Sequence, residues 1–193
     1  TMIGETINAP YAEKFTVSNV FSSDMVVQRG EHIRVWGFAD ASENGRKVSA
    51  EFMGMFAEAL IENGAWTLTF GARLNACAEQ GNSMRIYTDR TAFVFENVLV
   101  GDVFMVIGQS NVAYSMAAHR TAVPEAERGG VGYDVPSTPI RLHYNSLMQE
   151  TGVTRGTEEV CAELRNRETW KRADAAAVQD FSALGYLFAA EYA

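Results

Sequence analysis

The chain has 193 residues, 47% hydrophobic content and a formal charge of −8 at pH 7, enough for one large domain or two small ones around a genuine core. A field of that sign repels nucleic acid and anionic membrane surfaces, so neither is an expected partner, while a neutral ligand stays open. No segment approaches the roughly 18 apolar residues of a membrane-spanning helix, and the N-terminal TMIGETINAPYAEKF lacks an apolar core of signal-peptide length.

From Phe15 to about Asn97 short alternating runs are separated by turn residues, the pattern of antiparallel strands in a sandwich. HIRVWGF sets Ile33 and Val35 on one face, and NGAWTLTF does the same with Trp66, Leu68 and Phe70 after an Asn-Gly pair that favours a tight hairpin. SMRIYTD and TAFVFENV continue the series with β-branched and aromatic residues. Trp36 and Trp66, at alternating strand positions, read as core residues rather than as a sugar-stacking platform. Cys77 and Cys161 lack metal-type spacing and read as two free, partly buried thiols.

After Asn97 the texture changes. VFMVI, Val103 to Ile107, is continuously apolar, which suits a parallel strand covered on both faces. NVAYSMAAHR follows with helical spacing, then a loop rich in Gly and Pro, then a second strand in IRLHYN. Within that loop GGVG, Gly129 to Gly132, lacks the Lys-Ser/Thr of a phosphate loop. At the end Asp180 is a candidate N-cap, and Phe181, Leu184, Leu187 and Phe188 recur at the spacing of one helix face. Strand, helix, strand, helix is the order of an α/β sheet, so two domains are expected, residues 1–97 and 98–193.

Ser110 stands between the run ending at Ile107 and the helix beginning near Asn111, where ligands bind in open α/β sheets. A serine there either caps the helix or acts as a nucleophile. Gly108 leaves room for close approach of a substrate, and the Ser110 amide at a helix start can donate to a developing oxyanion.

NVLVGDVFMVIGQSN resembles the first signature block of the SGNH hydrolase superfamily, in its sialate O-acetylesterase branch. VSNVFSSDMVVQRGEHIRVWGFAD resembles the start of that branch's N-terminal β-sandwich, and PIRLHYN with TWKRADAAAVQDFSALGYLFAAEYA its later segments. The resemblance implies an antiparallel, jelly-roll-like β-sandwich followed by the opening portion of an SGNH-type α/β three-layer domain. It implies a serine esterase acting on O-acetylated carbohydrate, with Ser110 as nucleophile, Gly108, Gln109 and Asn111 as oxyanion and supporting residues, and no metal or organic cofactor. Val112 stands where the branch commonly has Met, and Ala113 where an acidic residue is usual.

The family's catalytic Asp and His come in a later D-x-x-H block, and no Asp here has a His three residues on. Among the histidines, His32 reads as a solvated strand residue, and His119 lies nine residues past Ser110, about 13 Å along a continuous helix. His143 lies on the polar side of IRLHYN. The expectation is an incomplete hydrolase domain, inactive or severely impaired alone, whose uncovered apolar surface self-associates or packs on a neighbouring copy. The rival is a non-catalytic carbohydrate-binding or structural module.

Overall fold

The computed structural model describes residues 2–3, 14–18, 20–78, 81–128, 139–144 and 169–193. Among these, contacts divide the chain into two compact units: one runs to Val103 and takes in Trp170, the other begins at Phe104 and takes in Lys171–Ala193. Cys161 and Gly129 to Gly132 lie outside the described residues.

Ten strands build the first unit: β1 (Met2–Ile3), β2 (Phe15–Val17), β3 (Val26–Gln28), β4 (His32–Ala39), β5 (Lys47–Phe52), β6 (Met55–Leu60), β7 (Ala65–Arg73), β8 (Met84–Tyr87), β9 (Ala92–Phe95) and β10 (Leu99–Gly101). They form a five-stranded sheet in the order β1-β9-β8-β5-β6, a three-stranded sheet in the order β2-β4-β7, and a parallel pair of β3 with β10. Pairing is otherwise antiparallel, apart from β1 beside β9. The unit is sheet-rich, with no closed barrel among the described residues.

Alternation explains these strands. β4 buries Ile33 and Val35, β7 buries Trp66, Leu68 and Phe70, and residues of both sheets meet in one hydrophobic core. Asn63 and Gly64 take φ of 51° and 75°, the left-handed pair that closes β6 onto β7 as the Asn-Gly signal requires. Trp66, 3% exposed, is a core residue as expected, whereas Trp36 is 38% exposed on the opposite side of its strand. The parity of β4 decides this, since Trp36 is out of phase with Val35. Between Trp36 and Phe38, Gly37 is required: a Cβ there would lie 2.0 Å from the Thr16 carbonyl oxygen and 2.5 Å from the Trp66 ring. The indole of Trp66 occupies that space and donates from Nε1 to the Thr16 carbonyl at 3.1 Å.

One charged cluster ties the loops of this unit. Glu43 is 5% exposed, and its carboxylate accepts from Arg46 and from Arg90, the latter at 3.2 Å. Arg46 also pairs with Asp89. The guanidiniums compensate the desolvation of the buried carboxylate. Cys77 is a partly buried free thiol, with Asn82 Nδ2 3.6 Å from its sulfur.

The second unit contains α1 (Ser110–Ala113), α2 (Met116–Ala122), the strands β11 (Arg141–Leu142) and β12 (Lys171–Arg172), then α3 (Ala175–Asp180) and α4 (Ala183–Tyr192). Its core gathers Met116, Leu142, Ala173, Val178, Ala183 and Tyr186.

Several expectations change here. VFMVI is not a strand: residues 104–107 join no ladder among the described residues, and a strand exists only by pairing its backbone with a neighbour. IRLHYN contributes only the two residues of β11, paired antiparallel with β12. The helix expected over NVAYSMAAHR breaks at Tyr114, whose ψ of 115° is extended, because the Ser115 hydroxyl accepts from Ala118 N–H at 3.3 Å and starts a new helix. Asp180 ends α3, and the N-cap of α4 is Ser182, accepting from Gly185 N–H at 3.2 Å. The helix then buries Ala183, Gly185, Tyr186 and Ala190 and exposes Leu184 and Phe188. Periodicity could not choose that face, because apolar residues surround the helix on every side.

Candidate active site

Ser110 is the first residue of α1, a single helical turn. The N-cap is Gln109, with φ −109° and ψ −131°, and its carbonyl accepts from Val112 N–H at 3.0 Å and Ala113 N–H at 2.9 Å. No side chain caps this helix. The capping account of Ser110 therefore fails on geometry: a capping serine stands one position earlier, outside the helix. Ser110 is exposed, and among the described residues its hydroxyl has no hydrogen-bond partner.

Gly108, Gln109 and Asn111 are exposed beside it. A Cβ on Gly108 would fall 2.6 Å from Cγ2 of Val112, so a local reason for glycine is the side chain one turn ahead. Val112, as well as any approaching substrate, therefore bears on the space that Gly108 leaves. The signal that could have found Val112 is its position four residues on, where a β-branched residue leans back toward the preceding turn. A four-residue helix carries little macrodipole, so any oxyanion stabilisation at this point comes from individual amides.

None of the three histidines is hydrogen-bonded to Ser110. His119 stands on α2, beyond the break at Tyr114, where its ring meets that of Tyr114 edge-on at 6.2 Å. The distance along one continuous helix therefore no longer applies to it. His143 follows β11 and is partly buried. His32 belongs to the first unit, exposed on β4, with Nδ1 3.0 Å from the Phe70 carbonyl oxygen. Among the described residues no group of three His, Cys, Asp or Glu could hold a metal ion, and no helix is long and apolar enough to cross a membrane.

The other feature of this unit is apolar exposure. Residues 104–107 alternate: Phe104 packs edge-on against Phe188 and Tyr192 at 5.0 and 4.8 Å, and Val106 approaches Gly185, so both turn toward α4. Met105 and Ile107 point the other way and are 83% and 81% exposed.

Sheets followed by short helices, in this order, are a fold this chain shares with a solved structure. The particular likeness is to the crystal structure of XAC1771, a carbohydrate acetylesterase from Xanthomonas citri, with a TM-score of 0.60 and 23% identity, over 92% of this chain and 37% of that one. The chain thus spans well under half the length of the solved structure it matches. No family profile matches it. No curated protein matches it either.

Proposed function

We propose that the chain carries the nucleophile half of a serine-dependent carbohydrate O-acetylesterase of SGNH type, in the sialate O-acetylesterase branch, built on a jelly-roll-like sandwich and the opening of a three-layer α/β domain. The observation that carries this reading is Ser110 itself: it sits in the GQSN block, exposed, with a hydroxyl engaged neither as a cap nor in any other hydrogen bond among the described residues. The likeness to a carbohydrate acetylesterase supports the substrate class.

In the proposed reaction Ser110 Oγ attacks the acetyl carbonyl of an O-acetylated sugar, the sugar hydroxyl leaves, and water releases acetate from acetyl-Ser110. The amide of Ser110 supplies one oxyanion donor. Gly108, Gln109 and Asn111 shape the turn that presents it. No metal or organic cofactor enters this chemistry. The proton acceptor is the part that Ser110 does not have bonded to it, and a serine hydroxyl without a base is a weak nucleophile at neutral pH.

That gap favours a second reading, a non-catalytic carbohydrate-binding module. A fluorophosphonate probe separates the two when the chain is carried on into a polypeptide that supplies an Asp and His pair to activate Ser110. Labelling that disappears in Ser110→Ala supports the esterase, and sugar binding with no labelling of Ser110 supports the module.

A further inference from the structure

The outer face of the three-stranded sheet differs from the rest of the first unit in one respect. Arg29, Arg46, Arg85 and Arg90 each pair with a carboxylate. Arg34 and Arg73, both exposed, have no ion pair among the described residues. Both belong to this sheet, Arg34 outward on β4 and Arg73 on β7 opposite His32. In a chain of net charge −8, two uncompensated guanidiniums on one sheet form a local positive field.

The same face is aromatic. Trp36 and Phe38 are 38% and 44% exposed and follow Arg34 at alternate positions, so the three side chains stand in a row about 7 Å apart. Cross-strand, Arg34 faces Thr69 and Trp36 faces Thr67, two exposed hydroxyl-bearing residues, while Phe38 faces Ala65. No outward position of β4 or β7 carries an acid. The row is held rigidly: buried Phe21 meets Trp36 in a T-shaped contact at 4.6 Å, and Trp66 packed against Gly37 sets the parity of β4 from beneath.

We infer that this face is a binding site for an acidic oligosaccharide. The rings offer the flat apolar surface on which the C–H face of a sugar packs, the threonines offer hydroxyls, and Arg34 offers the planar fork that matches a carboxylate. That the ligand is a carbohydrate rests on the function proposed above. That it is acidic rests on Arg34 and Arg73.

The test is calorimetric titration of the 193-residue chain with a galacturonic acid hexasaccharide and with xylohexaose. The acidic probe binds, more weakly as salt rises, and xylohexaose binds at least about tenfold more weakly. Arg34→Gln weakens the acidic probe about tenfold and Trp36→Ala by more, while Arg85→Gln, on the other sheet, and Ser110→Ala leave it unchanged. Should Trp36→Ala fail to fold, the exposed Arg34→Gln carries the decision. No binding of the acidic probe, equal binding of both probes, or an Arg85→Gln effect as large as that of Arg34→Gln overturns the inference. Acidic-probe binding, with no Ser110 labelling even when an added polypeptide supplies an Asp and His pair, counts against the esterase and for this site; Ser110 labelling there without acidic-probe binding does the reverse.

Discussion

Ser115 and Ser182 pair across an isolated antiparallel bridge, and each is also the N-cap of the helix that follows it. Met116 N–H donates to the Phe181 carbonyl at 3.0 Å and Ala183 N–H to the Tyr114 carbonyl at 2.8 Å. Two helix breaks thus satisfy each other's backbone groups, which would otherwise be lost hydrogen bonds inside the unit. The arrangement fixes where α1 ends, and so where the turn bearing Ser110 sits relative to α4.

Removing either cap should loosen this junction. Ser182 is buried, and Ser182→Ala removes the acceptor for Gly185 N–H, so a loss of about 1 kcal/mol is expected, toward 2 because the amide is left buried. Urea denaturation followed by helical circular dichroism measures it. Ser115→Ala, partly exposed, should cost less than Ser182→Ala.

Gly37→Ala should be the most damaging single methyl in the first unit. The added Cβ meets backbone at 2.0 Å, which no rotamer change relieves, and it displaces the Trp66 indole. A loss of about 3 kcal/mol or more, or failure to fold, is expected. Near-ultraviolet circular dichroism reports the displaced tryptophan, and a well-folded variant of unchanged stability contradicts the packing described.

Two exposed pairs give opposite pH dependence. Asp89 is held below its ordinary value of 3.8 by the hydrogen bond from Arg46, so its stabilisation is complete above pH 3.8 and lost as pH falls through the lower folded value. Tyr87 is held above its ordinary 10.0 by donating to the Glu51 carboxylate at 2.7 Å, so its contribution is complete below pH 10.0 and fades as pH rises through the folded value. Melting curves of Asp89→Asn and Tyr87→Phe should therefore converge on the parent at acidic and alkaline pH respectively, each at its own end.

The bare side of residues 104–107 should promote association. Met105 and Ile107 lie in a run whose other side is packed on α4, and contiguous apolar surface is uncommon on soluble monomers. Sedimentation velocity should show concentration-dependent self-association that Met105→Lys with Ile107→Lys reduces, while the folded signal of the first unit is retained. A monomer at all concentrations contradicts this.

The strands of the first unit were legible because period two is a local property: Ile33, Val35, Trp66, Leu68 and Phe70 are buried as their alternation requires. Trp36 was not, since residue type suggested core while parity placed it outside. In the second unit the signals were weaker. VFMVI has strand composition, but pairing is not written in the segment itself. The break at Tyr114 arises from a side-chain cap and a partner far along the chain, and helix periodicity carries no trace of either. Ser110 is singled out by its motif and its position at a helix start, both local features, whereas the contact of Val112 with the space beside Gly108 is visible only in the packing.

Ser110 is the residue proposed to carry the acetyl group. Turnover of p-nitrophenyl acetate decides this, measured for the 193-residue chain and for the same chain carried on into a polypeptide that supplies an Asp and His pair, each with and without Ser110→Ala. Slow turnover by the 193-residue chain is expected, with little dependence on Ser110, within the roughly 10³ to 10⁴-fold residual advantage over water that remains when a triad member is absent. Activity is expected in the longer protein and is lost in Ser110→Ala. Activity of the longer protein that survives Ser110→Ala contradicts the assignment of the nucleophile, and ordinary turnover by the short chain that vanishes in Ser110→Ala contradicts the missing base, with His143 then the first residue to replace.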